Sequence, residues 1–289
     1  DPPPPYDTRY IPDSVPVGTD KVIWPTYGWN NLTPDELAVM RGLYAGELAL
    51  TDRWLGYFLE KLDDLGLFDT TTVIATTDHG HLFGEHGLMG KPWSGIADGT
   101  LYEELAHVPL IVAHPDATPG QTSDRLTQMV DLTATVYDVH AVAPAVEIEG
   151  RSLLPTLRGE REREPARTVA CFGRFGEAMQ VTDGEWTLVL WPPTEENGPL
   201  NSYSLLPPEF GAPKATGPLT IINGRPAYPV AVARGEQPSA LYHVPTDPRQ
   251  ERNVIDAQPE VVARLNKGLS AWLEEVDAPA EQFARMGLR

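Results

Sequence analysis

Residues 34–77 restrict the fold more than any other part of the chain, because they join a long helical repeat to a β-branched strand through a glycine stop. Thr33-Pro34-Asp35-Glu36 combines a capping threonine, a proline at the first helical position and a glutamate three residues after the cap, the pattern of a capping box. Leu37, Met40, Tyr44, Leu48, Leu55, Phe58, Leu62 and Leu65 then recur at steps of three, four or seven, which is the spacing of one face of an α-helix. Gly66 supplies the stop. The pattern predicts an amphipathic helix over 34–65. Residues 71–77 are rich in threonine, valine and isoleucine and predict a buried strand that delivers Asp78, His79 and Gly80 at its carboxyl end. A helix followed by such a strand indicates an α/β layer, where ligands collect at the carboxyl ends of strands.

The run 108–113 predicts a second buried strand, and 129–139 has helical spacing after a loop containing Gly120. The α/β part ends near Leu157, and the charge-dense stretch 158–167 reads as an exposed connector. Beyond it, 168–172, 178–182 and 186–191 are short strand-like runs parted by glycine-containing turns, which predicts an antiparallel meander. Residues 241–244 add a strand and 259–276 a closing helix. The stretch 192–238, rich in proline, glycine and asparagine, is long for a loop and is either partly ordered over the surface or a lid. The expected organisation is α/β: residues 1–157 form the later part of a mixed sheet flanked by helices, and residues 158–289 form a small α+β subdomain with an antiparallel sheet and a closing helix.

Forty-one acidic against 22 basic residues give a formal net charge of −19, which repels phosphate backbones and argues against a nucleic-acid partner. An anionic substrate must then be drawn in by a local feature, such as a metal ion or a well-placed lysine. No run approaches the roughly 18–20 apolar residues of a membrane span. Asp1 followed by four prolines lacks the charged-then-apolar layout of a signal peptide. Consecutive prolines favour polyproline II, so the opening reads as an extended segment crossing a surface in mid-chain, or as a trimmed linker or mature terminus. The single cysteine, Cys171, excludes an internal disulfide and fits a reducing, cytoplasmic compartment without establishing one.

Chemistry concentrates between residues 77 and 91, where Asp78, His79, His81, Glu85, His86, Lys91 and four glycines share one loop leaving a strand. Aspartate and neutral histidine are metal ligands, glycines let backbone approach a ligand closely, and lysine offers a mobile positive charge suited to a tetrahedral anion. Each residue taken singly also has a plain reading: Asp78 caps a turn, the histidines lie at the surface and Lys91 is solvated. A zinc site from His79, His81 and His86 is a further possibility, opposed by the two-residue spacing after a strand, which points neighbours in differing directions.

Thr77-Asp78-His79-Gly80, Gly84-Glu85-His86-Gly87 and Gly90-Lys91 resemble, in order and spacing, the pattern of the sulfatases, within the alkaline-phosphatase superfamily. Tyr44, Glu47, Asp52, Gly56 and Leu62 look like the family's helix, and Tyr102-Glu103-Glu104 with 108–112 like its next strand and approach. Residues 241–244 and 246–253 are similar to its closing strand and Asp-Pro turn. The resemblance implies hydrolysis of a sulfuric ester, with Asp78 and His79 binding one divalent metal ion (Ca²⁺, Mg²⁺ or Mn²⁺) and Lys91 as a catalytic contact to the sulfonyl oxygens. It leaves His86 either near the leaving group or in a structural loop contact. A nitrogen ligand at position 79 suits Mn²⁺ or Zn²⁺ better than Ca²⁺.

The family's nucleophile lies in Cys or Ser-x-Pro-x-Arg, oxidised to formylglycine, behind a pair of acidic metal ligands near the amino terminus. Neither pattern occurs in these 289 residues. Cys171-Phe172-Gly173-Arg174 lacks the proline, and Thr246-Asp247-Pro248-Arg249 displaces the arginine by one. The resemblance therefore implies a carboxy-terminal portion whose nucleophile and formylglycine belong to an amino-terminal half, acting on a small anionic sulfate or phosphate ester. Two alternatives stand beside it: a phosphonate monoester or phosphodiester hydrolase of the same superfamily, and a non-catalytic relative that binds an anion or a partner through an exposed sheet edge.

Overall fold

Thr33 caps the long helix as its sequence demands: its Oγ1 accepts from Glu36 N at 3.3 Å, and the Glu36 carboxylate accepts from Thr33 N at 2.8 Å. The structure is a computed structural model that describes residues 2–20, 28–92, 99–160, 167–206, 214–233 and 238–288. The chain divides into two compact units. The first comprises 1–92, 104–122 and 154–161, and the second 93–103, 123–153 and 162–289.

The first unit contains β1 (Gly28–Trp29), α1 (Pro34–Asp64), β2 (Val73–Thr76), β3 (Leu82–Phe83), β4 (Leu88–Gly90) and β5 (Leu110–Ala113). α1 ends on Leu65, and Gly66 follows at a φ of 65°. Burial on α1 is confined to its first part, at Val39, Met40, Gly42, Leu43 and Gly46, whereas Leu48, Leu55 and Phe58 further along the apolar stripe are exposed. Periodicity thus located the helix, but burial depends on what lies alongside.

Two glycines of α1 admit the opening segment. A Cβ on Gly46 would sit 2.2 Å from Tyr6 O, and one on Gly42 would sit 2.9 Å from Tyr10 O. The extended path expected for that segment is not what forms. Tyr6 N donates to Pro3 O at 2.9 Å and Ile11 N to Thr8 O at 3.1 Å, a chain of turns against α1.

β2 and β5 pair antiparallel, from Val73 opposite Ala113 to Thr76 opposite Leu110. Both were expected to be buried, but they are half-buried to exposed, with Ile111 70% exposed. Among the described residues no third strand pairs with them, and two strands alone cannot enclose their own faces. Their β-branched character reports strand preference rather than burial. β4 lies between β1 and β3 in a small antiparallel sheet, with Leu82, Leu88 and Met89 fully buried.

The second unit contains α2 (Val130–Val139), β6 (Ala170–Gly173), β7 (Met179–Thr182), β8 (Trp186–Leu190), β9 (Asn201–Ser202), β10 (Thr220–Ile222), β11 (Arg225–Pro229), β12 (Ala240–His243), α3 (Pro259–Glu275) and α4 (Ala280–Arg285). The predicted meander forms as an antiparallel sheet in the order β12-β8-β7-β6. Alternation along its strands buries both faces. Val181, Leu188 and Leu241 meet Leu265, Leu269 and Leu273 of α3, while Val189, Ala240 and Tyr242 pack with Trp191 on the other side. Burying one such leucine contributes about 1.5–3 kcal/mol. Gln180 pairs with one peptide segment through both ends of its amide, accepting from Leu101 N at 2.6 Å and donating to Leu101 O at 2.9 Å.

The long stretch 192–238 is partly ordered, as β9, β10 and β11 in the order β10-β11-β9. Its residues 207–213 and 234–237, like 161–166 of the charge-dense connector, lie outside the described residues. Among the described residues no helix is long and apolar enough to cross a membrane.

Candidate functional site

β2 runs out at Thr76, and the chain turns at once so that Asp78 and His79 face each other. Asp78 Oδ1 accepts from His79 N at 3.0 Å, Asp78 Oδ2 lies 3.4 Å from His79 Nε2, and His79 Nδ1 lies 2.8 Å from Gly80 O. A carbonyl oxygen only accepts, so Nδ1 carries a proton, and Nε2 is the ring nitrogen turned toward the carboxylate. Holding the ring through its other nitrogen is how metal-binding histidines are oriented.

Two donors 3.4 Å apart fit neighbouring positions around one cation. Ligands about 2.1–2.4 Å from a metal and about 90° apart lie about 3.0–3.4 Å from each other. The turn-capping reading of Asp78 and the ligand reading coexist, because Oδ1 serves the backbone while Oδ2 stays available. The Asp78 side chain is 81% exposed and that of His79 34%, so the pair is open to an incoming ion. Among the described residues no group of three or more His, Cys, Asp or Glu gathers into a metal site. The donor set therefore fits part of a coordination sphere, with the remaining positions open to ligands from elsewhere.

Gly80 sets the turn that carries both donors. Its N donates to Leu105 O at 2.9 Å, and a Cβ there would lie 1.7 Å from Glu104 O. Backbone cannot yield as a side chain does. Gly80→Ala is therefore expected to lower stability by at least the ~1–3 kcal/mol typical of overpacking and to displace the carbonyl that orients His79. Urea denaturation of the variant checks this, and an unchanged midpoint would mean the turn is not held against residues 104–105.

The rest of the glycine-rich loop is built for shape. Gly84 and Gly87 take φ of 95° and 69°, and His86 itself sits at 56°, a left-handed conformation that histidine tolerates better than most residues. Arg41 of α1 donates to Phe83 O at 2.7 Å and to Glu85 Oε1 at 3.0 Å, and Phe83 N donates to Glu85 Oε2. Burial alone would raise the Glu85 carboxyl, but these backbone N–H groups and the Arg41 charge outweigh it and hold Glu85 below the usual range. Glu85 thus ties the β3–β4 turn to α1.

The three histidines do not converge. His81 lies in an aromatic group, its ring centroid 4.5 Å from that of Phe83 and 6.0 Å from that of Tyr44, and burial followed by the neighbouring His79 lowers its pKa. His86 is nearly buried, with Nε2 3.7 Å from Glu104 Oε2, which places it in a loop contact. Lys91 follows the end of β4, half-buried. Among the described residues no hydrogen bond or ion pair links it to Asp78 or His79. Sequence reasoning passed over Arg41 and the backbone of Glu104 and Leu105 as parts of this site. Arg41 looks like any polar position on a helix, and nothing in the spacing tells that 104–105 returns to Gly80.

A family profile described as Sulfatase matches residues 2–141, a stretch that includes β2, the loop 77–91 and β5. Arylsulfatase K of Xenopus laevis is 30% identical over 138 residues, covering 48% of this chain and 24% of the relative. N-acetylglucosamine-6-O-sulfatase of Bacteroides thetaiotaomicron is 35% identical over 122 residues, covering 42% of this chain and 20% of the relative. The chain thus matches these relatives over only about a fifth to a quarter of their length. Among solved structures, the phosphonate monoester hydrolase of Agrobacterium radiobacter superposes with a TM-score of 0.59 at 21% identity, over 86% of this chain and 43% of that one. At that identity the likeness is one of fold. The sequence matches are closer and fall on the part of the chain that holds the Asp78–His79 turn, so residues 2–141, just under half of the chain, are similar to the sulfatase family.

Proposed function

We propose that this chain supplies part of the active site of a sulfuric ester hydrolase, with Asp78 and His79 as two ligands of a divalent metal ion and Lys91 as a catalytic contact to the sulfonyl oxygens. The carrying observation is the Asp78–His79 pair, two donors 3.4 Å apart with the histidine ring held by Gly80 O, inside the segment that matches the sulfatase profile. The two relatives at 30% and 35% identity bear sulfatase names, which supports a sulfate ester over a phosphate ester. A divalent cation, which the family uses, supplies positive charge opposite the ester oxygens.

The residues of this chain then have separate tasks. Asp78 would offset the charge of the ion, and Gly80 O, accepting from Nδ1, would hold the His79 ring so that Nε2 is aimed at it. Lys91 meets the sulfate and stabilises the charge that grows on its oxygens as the S–O bond breaks. With a net charge of −19, the chain repels an anionic ester at long range, so these local cations draw it in. The nucleophile, formylglycine in this family, we assign to protein outside these 289 residues. His79 as a nitrogen ligand favours Mn²⁺ over Ca²⁺.

In the protein that carries its nucleophile, Lys91→Ala is expected to lower kcat/KM for 4-nitrophenyl sulfate at least about tenfold, with Lys91→Arg recovering part of the loss. An unchanged rate would take Lys91 out of the site. Faster turnover of a phenyl phosphonate monoester than of the sulfate would instead make this a phosphonate ester hydrolase.

A further inference from the structure

A cleft in the second unit shares no residue with the loop 77–91. It opens between the β6–β7 turn and helices α3 and α4, holds about 310 Å³, and is walled by Phe172, Phe175, Met179 and Trp272 with Arg174 and Arg285 at its side. That volume lies at the lower end of small-ligand pockets, which are apolar in the main with a few placed polar groups.

Arg285 is the unusual member, being only 3% exposed. Its Nε donates to Gln282 Oε1 at 3.1 Å, and its Nη1 to Glu177 O at 3.2 Å and Asn197 Oδ1 at 2.9 Å. Each of these acceptors is neutral, and Nη2 bonds to no described residue. Burial pulls the group down to about 10, which leaves it charged at neutral pH. A buried charge without a counter-ion is costly, and an anion in the cleft relieves that cost. Arg174 contributes no net charge to the balance, since its Nη1 lies 3.7 Å from the buried carboxylate of Glu177. The cleft therefore carries a net positive charge in a protein whose average field is negative.

We propose that this cleft binds a small organic monoanion, a carboxylate or sulfonate on a flat apolar body, with the anionic group on Arg285 Nη2 and the ring between Trp272, Phe172 and Phe175. Arg285 is the selecting residue, because a guanidinium with two unused N–H groups favours a planar carboxylate over a neutral amide. Phe175, exposed at the rim, closes over the body.

Isothermal titration of the protein with naphthalene-2-carboxylate, and with its uncharged amide, tests the assignment. The acid is expected to bind with a Kd below about 1 mM and at least about tenfold more tightly than the amide. Arg285→Gln should erase that preference, and Phe175→Ala should weaken both ligands while leaving the fold intact. Should Arg285→Gln fail to fold, the acid–amide ratio of the parent protein and the Phe175→Ala result decide. Equal affinity for acid and amide, absence of binding, or affinity indifferent to Phe175→Ala would overturn the proposal.

Discussion

Asp78→Asn is expected to lower turnover of the nucleophile-bearing protein by more than about a hundredfold and to raise the Mn²⁺ concentration for half-maximal activity by a similar factor, because loss of a mere outer partner of a metal ligand already costs 10–100-fold. Asparagine keeps an oxygen that can accept from His79 N, as Asp78 Oδ1 does at 3.0 Å, so the turn survives. What is lost is charge at the oxygen facing His79 Nε2. Since Asp78 is exposed, the change in stability should stay within about 0.5 kcal/mol, and activity and folding separate cleanly. Titrating Mn²⁺ against initial rate is the measurement. A variant that loses rate but keeps the parent's metal dependence would put Asp78 in some other role and leave His79 without its partner.

The two proposed ligands were legible in the sequence for a reason that does not extend to the rest of the site. Asp78 and His79 are consecutive, follow a β-branched strand and precede a glycine, so local pattern alone puts them at a strand end. Their support comes from residues 104 and 105, and that of the β3–β4 turn from Arg41, some 44 residues from Glu85. Contacts across such separations leave no trace in periodicity. β3 and β4, two and three residues long, are also too short to show alternation, and their turn is defined by left-handed residues at 84, 86 and 87 rather than by hydropathy.

The larger elements were readable because their signals are local. The capping box marked the start of α1, the apolar spacing of 259–276 marked α3, and glycine-parted runs marked β6, β7 and β8. Burial failed as an inference wherever it needed a neighbour. β2 and β5 read as core strands but stand half-open, and the outer half of α1 presents Leu55 and Phe58 to the surface. An apolar stripe states what an element prefers to cover, and only tertiary structure states whether it is covered.

Asp131 shows the same limit in the second unit, and its removal should have the largest effect on stability. It sits in the first turn of α2 with no exposed surface, a position where sequence suggests only a helix-start acid. Instead it accepts from Arg167 Nη1 at 2.6 Å and Nη2 at 2.8 Å, from Arg151 N at 2.8 Å and from Gln128 N at 2.8 Å. Asp131→Ala would leave the nearly buried Arg167 without its counter-ion and two backbone N–H groups without acceptors, a change expected to cost about 3–5 kcal/mol. Burial on its own would raise the Asp131 carboxyl, but the hydrogen bonds from Arg167, Arg151 N and Gln128 N, together with the guanidinium charge, outweigh it and hold the folded-state pKa below the usual value. The stability this group contributes is therefore fully present above the unfolded pKa of about 4 and is lost as pH falls through the lower folded value. Urea midpoints of parent and variant should differ most from pH 5 upward and converge as the solution is acidified below about pH 4. A gap that stays constant with pH would mean that Asp131 acts through packing, with its charge contributing nothing.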